Sequence, residues 1–142
     1  MAEPHTIQVD IVSAEGELFS GPATVVFAAA SQGDVGIYPR HAPLLTLLKP
    51  GEVRVQTPDG AEHHFFVGGG ALEVQPNKVT VLADTALRAR DIDEAAALAA
   101  KQRAEDALRD RSGHITLAEA QAELARAIAQ LKVIQRLRKL RG

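Results

Sequence analysis

Residues 91–142 read DIDEAAALAAKQRAEDALRDRSGHITLAEAQAELARAIAQLKVIQRLRKLRG. The stretch holds no proline, one interior glycine and a dense supply of alanine and leucine, so it reads as helix throughout. Everything before it reads as strand. Asp91 with Glu94, and Thr116 with Glu119, each set a capping oxygen three positions ahead of a carboxylate that can reach back to an orphan amide. Two helix starts are therefore expected. Between them Ser112-Gly113 supplies residues that tolerate the left-handed backbone in which helices commonly end. The spacing predicts an antiparallel hairpin of helices of about 21 and about 25 residues, roughly 70 Å end to end at ~1.5 Å per residue.

What these helices can bury is uneven. The first offers Ile92, Leu98 and Leu108, and otherwise Ala95, Ala96, Ala97, Ala99, Ala100, Ala104 and Ala107. Alanine allows close approach but removes little apolar area from water, at roughly 25 cal/mol per Å², so the hairpin should be held weakly. The second carries a clearer stripe, Leu117, Ala120, Leu124, Ala127, Ile128, Leu131, Ile134 and Leu137, at spacings mostly of three and four. Such a stripe needs a partner. The plain expectation is a helical cap packed permanently on the rest of the chain.

Upstream, the pattern has period two. Ile7, Val9 and Ile11 alternate with Gln8 and Asp10, Val53 and Val55 with Arg54 and Gln56, Leu72 and Val74 with Glu73 and Gln75. Turn chemistry separates the runs: Gly21-Pro22, Lys49-Pro50-Gly51, Pro58-Asp59-Gly60, Pro76-Asn77. Val35-Gly36-Ile37-Tyr38-Pro39-Arg40-His41-Ala42-Pro43 is a loop fixed by two prolines, which set dihedrals and remove donors. Gly68-Gly69-Gly70 is expected to break its ladder. Short strands punctuated in this way argue for a β-sandwich or small barrel. The expected class is α+β: an N-terminal antiparallel β-sandwich of about ten short strands over residues 1–86, then a two-helix antiparallel hairpin over residues 91–142.

Composition narrows the function. A hydrophobic fraction of 46% and a charged fraction of 24% are those of a soluble globular chain. No apolar run approaches the ~18–20 residues that cross a bilayer, and the first residues do not resemble a signal peptide. With no cysteine, thiol catalysis and disulfides are excluded. The net charge of -2 hides an asymmetry, because residues 1–90 carry ten acids against six bases. From Arg126 onward come Arg126, Lys132, Arg136, Arg138, Lys139 and Arg141 with no acid. Cations are favoured near a helix C-terminus, but six exceed that need and suggest an acidic partner surface.

Catalytic material is scarce. The three glycines lack the Gly-Lys-Ser/Thr ending of a phosphate loop and precede no helix, so a strand bulge explains them better. His63 and His64, adjacent on a strand, point to opposite faces and cannot share an ion. No serine sits in a nucleophile-elbow context. Nucleic acid is disfavoured by the negative charge and by a basic tail without aromatics to stack bases. The residues alone leave a non-enzymatic module, with an unrelated scaffold protein bearing a fixed helical cap as the alternative.

Four segments carry a resemblance: residues 33–46 (GDVGIYPRHAPLLT), 66–74 (FVGGGALEV), 79–84 (VTVLAD) and 122–127 (AELARA). Together and in this order they resemble the epsilon subunit of bacterial F-type ATP synthase. The resemblance implies a non-catalytic central-stalk subunit whose sandwich binds the gamma subunit and sits on the c-ring, coupling proton flow to ATP synthesis. It implies a peripheral position on the cytoplasmic face of the bacterial plasma membrane, no cofactor, and a monomer when isolated. Tyr38, Pro39, Arg40, His41, Ala42 and Pro43 match the loop at the c-ring end. The hairpin is expected to fold down or to extend into the alpha/beta head, where Arg126, Lys132, Arg136, Arg138 and Lys139 would meet an acidic segment of the beta subunits and block ATP hydrolysis.

Two departures from the family pattern stand out. Its loop usually reads Gly-Ile-Leu-Pro-Gly-His, whereas this chain has Tyr38 for the leucine and Arg40 for the glycine, which puts a positive charge toward the rotor ring and is expected to demand a different backbone angle. Members that bind ATP between the helices carry Ile/Leu-Asp-x-x-Arg-Ala, and here Ile92-Asp93-Glu94-Ala95-Ala96-Ala97 has alanine at the arginine position. Asp93 and Arg126 remain as candidate nucleotide contacts. Without the guanidinium, weak or absent ATP binding is expected.

Overall fold

The computed structural model describes residues 5–110 and 115–141. The Ser112-Gly113 turn lies outside the described residues. The chain divides into two compact units, Met1–Arg88 and Ala89–Gly142.

The first unit has eight strands: β1 (Ile7–Ser13), β2 (Gly16–Ala23), β3 (Val25–Ala30), β4 (Gly33–Ile37), β5 (Leu44–Gln56), β6 (Glu62–Gln75), β7 (Lys78–Ala83) and β8 (Ala86–Arg88). Their order is β2-β1-β7-β6-β5-β3-β4, with β8 also on β6. β2 and β4 are unpaired edges, so the sandwich is not a closed barrel. Neighbours are antiparallel except β1 and β7, which run parallel from Gln8↔Lys78 to Ser13↔Ala83. That pairing joins segments about seventy residues apart, and no local pattern announces it.

There are eight strands and not about ten because β5 and β6 run unbroken for 13 and 14 residues. They pass through Lys49-Pro50-Gly51 and Gly68-Gly69-Gly70, which read as breaks, just as β2 passes through Gly21-Pro22, paired with Val9 and Gln8 of β1. Pro50 lies opposite Gly68 in an unchanged register, and the β3 ladder slips between Ala28 and Ala30 where residues 49–52 bulge. Gly51 is needed there, since a Cβ on it would stand 2.6 Å from that of Ala29. At Gly70, φ is +137° and a Cβ would run into the Leu82 carbonyl oxygen. The glycine run thus lets β6 pass close to the neighbouring strand β7, the structural reading of those residues.

The period-two pattern fills the interior. Val9, Ile11, Val26, Ile37, Val55, Phe65, Leu72, Val79 and Val81 are all buried in one cluster, each contributing about 1.5–3 kcal/mol if fully removed from water. Alternation also separates the histidines as expected. His63 packs against the Phe19 ring at 5.3 Å between centroids. His64 is buried, its Nδ1 3.3 Å from Glu52 and its Nε2 3.7 Å from Glu62.

The second unit begins with a 3-10 turn, Ala89–Asp91, followed by α1 (Glu94–Arg109) and α2 (Leu117–Arg141). The first cap is Asp93 and not Asp91: its carboxylate accepts from the Ala96 amide at 3.0 Å. Asp91 is taken up by the turn, where the Ile92 amide reaches Ala89. α1 therefore has 16 residues, about 24 Å, against 25 residues and about 38 Å for α2. The second cap is as read, Thr116 Oγ1 accepting from the Glu119 amide at 3.1 Å. α1 buries Ala97 and Ala104, and α2 buries Ala120 and Ala127, both pairs at seven-residue spacing. Leu117 and Leu98 stay about half exposed, while Ala129 and Val133, outside the expected stripe, are buried.

Candidate partner-binding surfaces

The loop between β4 and β5 is built by its backbone. Ile37, fully buried, anchors one side. The His41 amide donates to the Tyr38 carbonyl at 3.2 Å, closing a turn, and the Arg40 amide donates to the Pro76 carbonyl at 3.1 Å. Gln8 donates to Asn77 at 3.0 Å, so the loop, the β6–β7 turn and the start of β1 form one end of the sandwich. His41 Nδ1 donates to the Ala42 carbonyl at 2.6 Å. Tyr38, Arg40, Ala42 and Pro43 are exposed, Pro39 and His41 half-buried. All six expected loop residues thus lie together.

Arg40 has φ of +65°, the one non-glycine residue with positive φ among the described residues. The backbone keeps a conformation glycine adopts freely, and the arginine accepts it. Nearby Lys78 is already engaged, 3.1 Å from Asp10. Hydrogen bonds from Gln8 and Ser20, together with Lys78, hold the Asp10 carboxyl below the usual carboxylate range.

The basic residues of α2 are not one cluster. Lys132, Arg136 and Lys139, at spacings of four and three, share one exposed side. Arg126 is half-buried and more than a turn away along the helix. Arg138 is turned away from the other three and pairs with Glu94 at the start of α1. That pair closes the end of the hairpin, so Arg138, though exposed, is engaged within the hairpin. Helical periodicity cannot reveal a contact between residues forty-four positions apart; only the fold-back of α2 along α1 brings them together.

The same end holds a shallow recess of about 210 Å³ lined by Ala89, Ile92, Glu94, Ile134, Leu137 and Arg138. Neither Asp93 nor Arg126 lines it. Asp93 spends its carboxylate on the helix cap, and the structure does not bring these two candidate nucleotide contacts together there. Among the described residues no group of three or more histidines and carboxylates could hold a metal.

Comparison with known proteins assigns both units. The beta-sandwich domain of the ATP synthase Delta/Epsilon chain matches residues 6–89, and its long alpha-helix domain matches residues 90–135. The chain belongs to the ATP synthase Delta/Epsilon family. The ATP synthase epsilon chain of Nitrosococcus oceani is 69% identical over 137 residues, 96% of this chain and 98% of that one. That of Halorhodospira halophila is 62% identical over 136 residues, 94% of this chain and 96% of its own. In fold, the chain is similar to one in the Euglena gracilis mitochondrial ATP synthase, at a TM-score of 0.69 and 17% identity, covering all of this chain and 85% of that one. As a family member it is an epsilon-type, non-catalytic rotor-stalk subunit of F-type ATP synthase. Among the described residues no helix is long and apolar enough to cross a membrane.

Proposed function

We propose that the sandwich, residues 1–86, joins the gamma subunit to the c-ring through its loop end at Tyr38 to Pro43, and that the hairpin, residues 91–142, is a brake on ATP hydrolysis. Proton flow turns the ring, and the sandwich passes rotation to the stalk on the cytoplasmic face of the bacterial plasma membrane. Lys132, Arg136 and Lys139 engage an acidic segment of the alpha/beta head when the hairpin extends. One observation carries the braking reading: an exposed row of cations rides on a hairpin whose seam is mostly alanine, with Val133 and the exposed pair of Glu94 and Arg138. Such a closure is cheap to leave. Moving a two-state element fully from one arrangement to the other takes about 5.5 kcal/mol of differential binding, within reach of a long helical interface.

The test replaces Lys132, Arg136 and Lys139 by alanine in the assembled complex and leaves Arg138 to hold Glu94. ATP hydrolysis should rise several-fold at low salt, and the difference should shrink as salt screens the cations. A chain ended after Arg88 retains the whole buried cluster and should still assemble, with hydrolysis raised further. Unchanged hydrolysis in both would remove the brake and leave the stalk role.

A further inference from the structure

We infer that Arg40 is a pre-positioned cation for a carboxylate on the surface facing the loop end of the sandwich. The inference rests on that end meeting the c-ring and adds the chemistry of the contact. Arg40 occupies the left-handed region at φ +65°, which every side chain with a Cβ enters at a cost and glycine enters freely. Backbone hydrogen bonds at Arg40 to Pro76 and at His41 to Tyr38 hold it there. Its exposed side chain makes no ion pair or hydrogen bond with any described residue, so no polar contact within the sandwich offsets that cost. A residue held in a costly conformation and unused within its own chain points to use outside it.

The geometry favours one oriented protein carboxylate over a lipid surface. Lipid binding by charge draws on clusters of four to eight cations, each adding little. Here Arg40 is the one formal charge in the loop, and Lys78 is taken by Asp10. A planar guanidinium on a fixed backbone suits a two-point contact with a single carboxylate.

The experiment uses the full chain as wild type, Arg40→Gly, Arg40→Lys and Arg40→Glu. Melting of the isolated chains should show Arg40→Gly raised by about 3–5 °C, because glycine relieves the backbone. Binding to ring-containing complex stripped of this subunit should weaken about ten-fold for Arg40→Glu at low salt and less for Arg40→Lys, with the differences closing at high salt. Three results would overturn the inference: a lower melting point for Arg40→Gly, equal low-salt binding of Arg40→Glu and wild type, or Arg40-dependent capture by vesicles of anionic phospholipid. A photo-crosslinker at exposed Ala42 separates the two readings. Capture of a ring subunit supports both, whereas capture of another subunit, with Arg40→Glu still weakened, rejects the ring contact and leaves the carboxylate pairing in place.

Discussion

The sandwich and the hairpin solve the same problem with opposite materials. The sandwich buries Ile7, Ile11, Ile37, Phe65 and Leu72 at 2% exposure or less, while the fully buried positions of α1 are Ala97 and Ala104. Branched and aromatic side chains withdraw much apolar area, interlock, and make any loss costly. Alanines let helices meet closely but leave little area to lose when they part. The first unit has much packing to lose and the second little. That difference is what the proposed braking hairpin on a rotor stalk would need.

The largest effect should come from damage to the rigid unit. Phe65→Ala empties the centre of the buried cluster and should cost about 3–5 kcal/mol, read as a lower urea midpoint in fluorescence or circular dichroism. Its effect on the hairpin's helicity should be small. A loss below about 1 kcal/mol would mean that the sandwich core is no more demanding than the alanine seam, and the contrast would fail.

Overfilling the seam is the matching experiment. Ala104 is completely buried, and Ala104→Leu adds three carbons where the helices approach closely. A cost of about 1–3 kcal/mol is expected, measured as a wider spin-label distance between α1 and α2 with the sandwich melting point unchanged. In the assembled complex the same variant should brake more strongly, because the closed state competes less well. A closed hairpin in the variant, with unaltered hydrolysis, would show that alanine packing does not set the balance.

The chain's own letters disclosed these materials but not all of their arrangement. Period two in β1 and β6, the alanine content of α1 and the Thr116 cap follow from local rules, and local rules suffice for them. Lys49-Pro50-Gly51 and Gly68-Gly69-Gly70 misled because glycine signals a turn and a close backbone approach equally well. Here the approach wins, since β5 and β6 are pinned by their neighbours on both sides. Asp91 and Asp93 both offer a cap oxygen, and the choice fell to the residue left over after the 3-10 turn closed. In the loop, arginine at a position usually held by glycine suggested a changed backbone angle, but the backbone hydrogen bonds to Pro76 and Tyr38 hold Arg40 at a glycine-like φ of +65°. The split of α2's cations had no comparable signal, for it depends on which side of α2 meets α1.

That split supplies the finest test of the contrast. Glu94 and Arg138 have side chains 38% and 63% exposed, so water and salt screen them and the pair is worth at most about 1 kcal/mol. A double-mutant cycle with Glu94→Gln and Arg138→Gln removes each charge while keeping shape, and isolates the coupling from changes in packing. The expected coupling, read from hairpin closure, is about 0.3–0.8 kcal/mol at low salt and near zero at high salt. Its small size is the point. A latch of several kcal/mol would hold the proposed brake off regardless of the partner, whereas a screened pair leaves the decision to whatever acidic surface can compete with Glu94 for Arg138. Coupling that persisted at high salt would instead mark Glu94 and Arg138 as a fixed part of a permanent cap.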